Sequence, residues 1–437
     1  MPYYFYNARL LDGSGRPVTE EPHALVVEGQ RITAVAPQTQ LPVPSGAHPF
    51  NLQGKTLMPG LIDCHDHLAD LEGSMQQRAA IPPTLAIFKA AKAFHQTLLG
   101  GFTAIRDASG VDLGMKMAVE QGLIPGPRLK ISIVILSQLG GHNDHTEPAG
   151  IDSRFPWIPT IPSGICDGPD QCRRKVREVI RLGADWIKIA TTGGVGTPVG
   201  GPLIRQFSPE EVQVIVDTAH AAGKPVGSHA YGGEGVKICL DAGVDCIEHG
   251  AALDDTLIEQ MVRQGTWLVP TFTVLRRVVS LGQQSPSPLP DYMPRKALQL
   301  LEVQSLSLRK ALDAGVKIAL GTDLGSFGHG KNAEELAYLV EAGMTPMQAI
   351  LAGTRMGAEC MGLGNDVGML AEGRLADLLV VDGDPLADVH LLQDRSRLRL
   401  IMKDGSIIKN SLMPESPVTS AGDFEFLSHK NEGVLND

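Results

Sequence analysis

The sequence predicts an α/β protein: a (β/α)8 TIM-like barrel carrying a small β-sandwich domain built from both termini. Three observations predict it. Eight short apolar segments between residues 57 and 323 alternate with helical stretches. Both ends of the chain carry short β-rich runs broken by turn dipeptides. Histidines, a lysine and an aspartate recur in or at the ends of the apolar segments, where such a barrel presents its chemistry.

At 437 residues the chain exceeds a typical single domain. We divide it into residues 1–56 (first part of the sandwich), 57–362 (barrel), 363–411 (returning part of the sandwich) and 412–437 (a polar tail). Hydrophobic residues at 43% and charged residues at 20% fit a globular enzyme. The formal charge of −11 argues against nucleic acid or an anionic membrane as the main partner, since both favour a basic surface. No apolar run approaches the ~20 residues that span a bilayer. The six cysteines are scattered without CxxC spacing, so we expect free thiols in a reducing, cytoplasmic setting. Cys166 and Cys172 are the one pair near enough in sequence to question. The first residues lack the basic-then-apolar pattern of a signal peptide.

Taken in order, Tyr4–Leu11, Ala24–Glu28 and Arg31–Ala36 are β-rich, with Gly29 at a hairpin turn. The far end answers with GRLADLLVVDGDP (373–385), Leu398–Lys403 and Ser406–Lys409. Between them, strands are expected at Leu57–His67, Thr103–Ala108, Leu129–Leu136, Trp186–Thr191, Pro225–Tyr231, Asp245–His249, Thr266–Phe272 and Val316–Asp323. Ser208, Pro209 and Glu211 form the start signal of a helix that Gly223 ends, and Thr345, Pro346 and Gln348 repeat it. Ala-Gly-Val at 242–244 and 314–316 closes a helix each time.

The first barrel strand ends in MPGLIDCHDHL (58–68). Strand side chains alternate, so His65 and His67 share a face while Cys64 and Asp66 turn away. Lys188 lies in the fourth strand, His229 ends the fifth, His249 the sixth and Asp323 the eighth. Each alone has a bland structural explanation; all six, in order on the first, fourth, fifth, sixth and eighth strands, point to a metal centre.

This set resembles the amidohydrolase superfamily over about residues 1–410. The His-x-His after PGLID, the lysine, the two histidines and the late aspartate match its ligands, and GRLADLLVVDGDP resembles its returning sandwich strands. TTGGV (191–195), SHAYG (228–232) and LGTD (320–323) look most like the imidazolonepropionase-related prolidases and N-acyl-amino-acid hydrolases, a group that includes ochratoxin-hydrolysing enzymes. The resemblance implies two divalent ions, one on His65, His67 and Asp323, the other on His229 and His249. Lys188, as an N-carboxylated lysine, would bridge them. Its apolar neighbours Trp186, Ile187 and Ile189 favour the neutral amine that takes up carbon dioxide. The nitrogen and oxygen donors suit zinc, with manganese, cobalt and nickel as alternatives.

Such a centre makes a nucleophile from water and polarises a carbonyl. Asp323 is then placed to move the water proton to a leaving amine. Tyr231 and His142 are candidates to meet the carbonyl oxygen or a substrate carboxylate, and His145 reads as a surface neighbour. The segments 137–170, with Phe155 and Trp157, and 274–292, with Arg276 and Arg277, read as loops that set specificity. Either arginine would suit a carboxylate clamp. The implied activity is hydrolysis of an amide bond to a C-terminal amino acid, in Xaa-Pro or other dipeptides or N-acyl amino acids. The alternative is an imidazolonepropionase-like opening of cyclic amides or lactones. The expected partners are a small-molecule substrate and, by resemblance, a second copy of the chain in a homo-oligomer.

Overall fold

The computed structural model describes residues 1–71, 77–78, 80–146, 150, 158, 160–198 and 200–412. Phe155, Trp157 and the tail from residue 413 lie outside the described residues.

Five strands open the chain: β1 (Tyr3–Leu10), β2 (His23–Glu28), β3 (Arg31–Pro37), β4 (His48–Asn51) and β5 (Thr56–Pro59). Next come β6 (Leu61–Asp66), β7 (Phe102–Asp107), β8 (Arg128–Ile131), β9 (Ile135–Leu136), β10 (Ile187–Ala190), β11 (Val226–Gly232), β12 (Cys246–Ala252), β13 (Trp267–Val269) and β14 (Lys317–Ile318). Helices separate most of these strands. The chain returns through β15 (Leu378–Val381), β16 (Leu398–Lys403) and β17 (Ser406–Asn410).

The two ends pair in the order β17-β16-β15-β5-β1-β2-β3, with β4 beside β1. Along its length β1 hands over from β2 and β4 to β5. One apolar cluster joins Phe5, Leu25 and Phe50 from the first part to Leu378, Leu400 and Met402 from the last. Burying a shared face is what holds such distant segments together.

The expected strand Leu57–His67 is two strands. β5 belongs to the terminal sheet, pairing with β15, and β6 begins the parallel set. The break falls at Gly60, where a Cβ would collide with the Thr103 side chain. Leu129–Leu136 is also interrupted, at Ile133 with φ +69°. β8 pairs with β7, and β9 pairs with β10.

The parallel strands form a six-membered sheet β14-β13-β12-β11-β10-β9 and a three-membered sheet β6-β7-β8. Backbone bonds cross both seams. Asp185 N donates to Ile131 O at 2.8 Å. Cys64 N donates to Leu320 O at 2.8 Å and Asp323 N to His65 O at 2.7 Å.

The helix starts behave as read. Ser208 with Glu211, and Thr345 with Gln348, form complete capping boxes. Gly243 ends its helix in the left-handed region at φ +84°, which a side chain would strain. The 274–292 segment is a loop only in its second half. Its first half belongs to the helix Phe272–Gly282, whose first amides are held by the buried Glu335 carboxylate: Phe272 N and Thr273 N donate to it at 2.8 and 2.7 Å. Among the described residues no helix is long and apolar enough to cross a membrane.

Candidate metal centre and active site

The strand ends converge. His65 Nε2 lies 3.4 Å and His67 Nε2 3.2 Å from Asp323 Oδ1, so an acidic oxygen and two imidazoles meet at one point. Beside them, His229 Nδ1 faces His249 Nε2 at 2.8 Å. The His65 and His249 rings are 5.2 Å apart, which joins the two groups. Lys188 is buried in β10, against the carboxylate of Glu248.

Backbone strain marks the same place. His249, Thr271 and Asp323 adopt φ of +74°, +54° and +51°. The left-handed region costs a side chain roughly 1–3 kcal/mol, so it persists only where packing enforces it. A strained φ at His249 also lifts strict alternation at the end of β12.

The outer nitrogens of the histidines are held by the protein. Ser109 Oγ lies 2.9 Å from His67 Nδ1, Gly193 O 3.0 Å from His229 Nε2, and Thr271 Oγ1 2.7 Å from His249 Nδ1. Gly193 O can only accept, so the proton of His229 sits on Nε2 and its Nδ1 lone pair points inward. Lys188 Nζ and His65 Nδ1 are buried and both face the Glu248 Oε2 oxygen, with no hydrogen-bond partner elsewhere among the described residues. An inward lone pair on His229, further imidazoles and the Asp323 carboxylate are the nitrogen and oxygen donors that suit a divalent cation.

The electrostatics agree. Burial, with Lys188 nearby, holds His65 down at about 3. Burial opposes charge on His67 too, but its bond to Asp323 and that group's charge raise it to about 9. Burial likewise works against the Asp323 charge, yet His65 and His67 keep its carboxyl well below the ordinary range. Burial pulls the Lys188 amine down to about 7, with Asp323 opposing the shift and Arg106 adding to it. His229 and His249 are held well below their usual value by burial first and by each other or neighbouring charges second.

A cavity of about 260 Å³ opens over this cluster, lined by His67, His142, His229, Tyr231 and Asp323 among others. His142 stacks on His229 with ring centres 3.9 Å apart, and its Nδ1 meets Thr197 Oγ1 at 2.9 Å. Gly194 permits this approach, because a Cβ there would collide with the His142 ring. Tyr231 stacks on His249 at 4.8 Å. A larger cavity, about 670 Å³, is lined by Trp186, Pro225, Asp245 and Thr266, at the opposite ends of the same strands and away from the cluster.

The amidohydrolase family pattern matches residues 56–408. The chain belongs to the amidohydrolase family. It is similar to the ochratoxinase of Aspergillus niger, 31% identical over 423 residues that cover 92% of this chain and 86% of that one. A solved Xaa-Pro dipeptidase with methionine in its active site is 31% identical with a TM-score of 0.84, covering 94% of this chain and 100% of that one. A solved prolidase complexed with N-methylphosphonate-L-proline is 32% identical with a TM-score of 0.85 and the same coverage. This amidohydrolase is a hydrolase, from a family that generally uses divalent metal ions.

Arg276 and Arg277 do not reach the cavity of the amidohydrolase. Arg276 pairs with Glu341 at 2.7 Å and lies over the Tyr338 ring, and Arg277 pairs with Glu334. The arginine that lines the cavity is Arg78, whose Nη2 donates to Ser326 Oγ at 3.1 Å. His145 lines the cavity as well, instead of lying apart from it. Cys64 turns away, donating to Gly357 O at 3.4 Å, and Cys166 and Cys172 are free thiols with sulfurs 3.6 Å apart.

Sequence reasoning missed Glu248, Ser109, Thr271 and Asn332. Asn332 Nδ2 donates to Asp63 Oδ2 at 2.8 Å and Asp66 Oδ2 at 2.9 Å, tying the His-x-His turn to the chain after Asp323. Glu248 had a visible signal: it is a charged residue inside the apolar strand CIEHG.

Proposed function

We propose that the chain is a binuclear metal-dependent hydrolase of amide bonds to a C-terminal amino acid. Its substrates in this reading are Xaa-Pro and other dipeptides or N-acyl amino acids, ochratoxin A among them. The observation that carries it is the convergence of His65, His67, His229, His249 and Asp323 under one small cavity, beside a buried Lys188 that meets the Glu248 carboxylate. Ochratoxinase and prolidase relatives at about this identity support an amino acid on the leaving side.

His65, His67 and Asp323 would hold one ion and His229 and His249 the other, with a CO2-derived carboxylate on Lys188 shared between them. Divalent ions, zinc first among them, supply an activated water and a polarised carbonyl when bound. Asp323 takes the water proton and delivers it to the leaving amine. Tyr231 and His142, both on the cavity wall, donate to the carbonyl oxygen as charge develops. Arg78 takes the clamp role from Arg276 and Arg277, because it alone of the three lines the cavity. The two bonded seams support reading β6 to β14 as one closed eight-membered barrel, with β8 and β9 as one interrupted strand.

The test is Asp323→Asn. The amide keeps an oxygen for metal but cannot shuttle the proton, so turnover is lost while bound metal is retained. Turnover near wild type in that variant would remove Asp323 from the mechanism.

A further inference from the structure

Glu248 is fully buried in β12, and none of the roles above uses it. Its two oxygens are divided. Oε1 accepts from Arg106 Nη2 at 3.1 Å. Oε2 lies 3.2 Å from His65 Nδ1 and against Lys188 Nζ. Neither of those nitrogens has a hydrogen-bond partner elsewhere among the described residues.

Arg106 is fixed in turn. Its Nε donates to Cys64 O at 2.6 Å, its Nη2 also meets Cys246 Sγ at 3.2 Å, and its guanidinium lies 4.5 Å over the Trp186 ring. A carboxylate at this depth costs several kcal/mol unless partners compensate it. Such a group is not retained by packing alone, since an apolar side chain would fill the space without that cost.

Comparison among the four histidines singles Glu248 out. The outer nitrogens of His67, His229 and His249 meet a hydroxyl, a carbonyl and a hydroxyl. Of these four histidines only His65 turns its outer nitrogen to a formal charge.

We infer that Glu248 is the positioning carboxylate of the centre, whose Oε2 takes the Nδ1–H of His65 and an N–H of Lys188 together. One side chain thereby orients the first ligand of one ion and the ligand shared with the other. The arrangement survives carboxylation. The Lys188 amine gains the carbon of CO2 and releases one proton to solvent, so one N–H remains to donate to Glu248. Arg106 holds the opposite oxygen and keeps the carboxylate from rotating away.

This inference rests on the metal-centre reading, and zinc titration of the metal-free full chain separates the two. Outer partners of metal-bound histidines contribute about 10–100-fold in affinity. Glu248→Gln is expected to weaken zinc binding by about that factor, as measured by calorimetry with bicarbonate present. In a His65→Ala background the same substitution should produce a smaller further loss at the ion His65 serves, because only the contact to Lys188 is left to lose; a general packing role would give the full loss again. Should Glu248→Gln fail to fold by circular dichroism, Glu248→Asp carries the test. It keeps the charge near Arg106 but withdraws Oε2 by one methylene, and the same loss is expected. Wild-type zinc affinity in either folded variant would overturn the role of Glu248. Wild-type protein that binds no zinc would instead overturn the metal centre itself.

Discussion

His229 Nδ1 faces His249 Nε2 at 2.8 Å, and each ring has committed its other nitrogen to a protein partner. Gly193 O fixes the His229 proton on Nε2. The Thr271 hydroxyl, by contrast, can donate to His249 Nδ1 or accept from it. When it donates, His249 keeps its proton on Nε2 and satisfies His229. When it accepts, two lone pairs face each other and a cation is needed between them. In the proposed centre the pair is a half-site that one hydroxyl rotation opens. His249→Ala should hold one ion fewer per chain than wild type while retaining its fold, as measured by elemental analysis after dialysis. Unchanged metal content would remove His249 from the ligand set.

In the proposed centre Lys188 sets a pH dependence. Burial first, then Arg106, draws its amine down to about 7, against ~10.4 for a free lysine. Only the neutral amine attacks CO2, so carboxylation is favoured above about pH 7 and suppressed below it. The neutral fraction falls from about one half at pH 7 to about one tenth at pH 6. At fixed dissolved CO2, uptake of 13C label by the metal-free protein should therefore be about fivefold slower at pH 6. Equal uptake at the two values, or equal uptake by Lys188→Ala, would contradict the assignment.

Arg78 and Arg276 make opposite predictions. Charge-assisted bonds to a carboxylate contribute ~1.5–3 kcal/mol, or roughly 10–100-fold in affinity. Arg78→Met should raise KM for a substrate with a free carboxylate by about that factor and have little effect on its amide. Arg276→Met should leave KM unchanged, because its guanidinium is engaged by Glu341 and Tyr338 away from the cavity. Steady-state kinetics on paired acid and amide substrates decides between them.

Asn332 is a stability prediction. Its single amide nitrogen serves both Asp63 and Asp66, two fully buried acids. Burial, then Asp66, already pushes the Asp63 carboxyl up to about 7. Asn332→Leu removes the shared donor and should lower unfolding free energy by about 3 kcal/mol. Denaturant titration of the metal-free protein measures it; a loss under about 1 kcal/mol would show that the network contributes little.

Much of the centre was legible because strand periodicity and strand ends are local properties. His65, His67, Lys188, His229, His249 and Asp323 each stand in an apolar run whose direction the sequence declares. What was not legible depends on contacts between distant segments. Arg276 and Arg277 find Glu341 and Glu334 on the helix Glu334–Glu341, a pairing no short pattern encodes. Arg78 stands before the helix Pro83–Leu99, in a stretch without periodicity. The charge of Glu248 stands out in CIEHG, but its place beside the centre was hidden by alternation, which assigns it and His249 to opposite faces until the φ of +74° at His249 is known. The Gly60 break was hidden because two strands of different sheets run together in one apolar segment.

The most direct test of the account is release of free amino acid from a panel of N-acyl and Xaa-capped substrates by zinc- and bicarbonate-loaded protein. Proline, phenylalanine, methionine and lysine should all be represented on the amine side. The account predicts release from at least one member, lost on chelation and restored by zinc. Silence across the panel from protein shown to hold two ions per chain would contradict it and direct attention to cyclic amides and lactones.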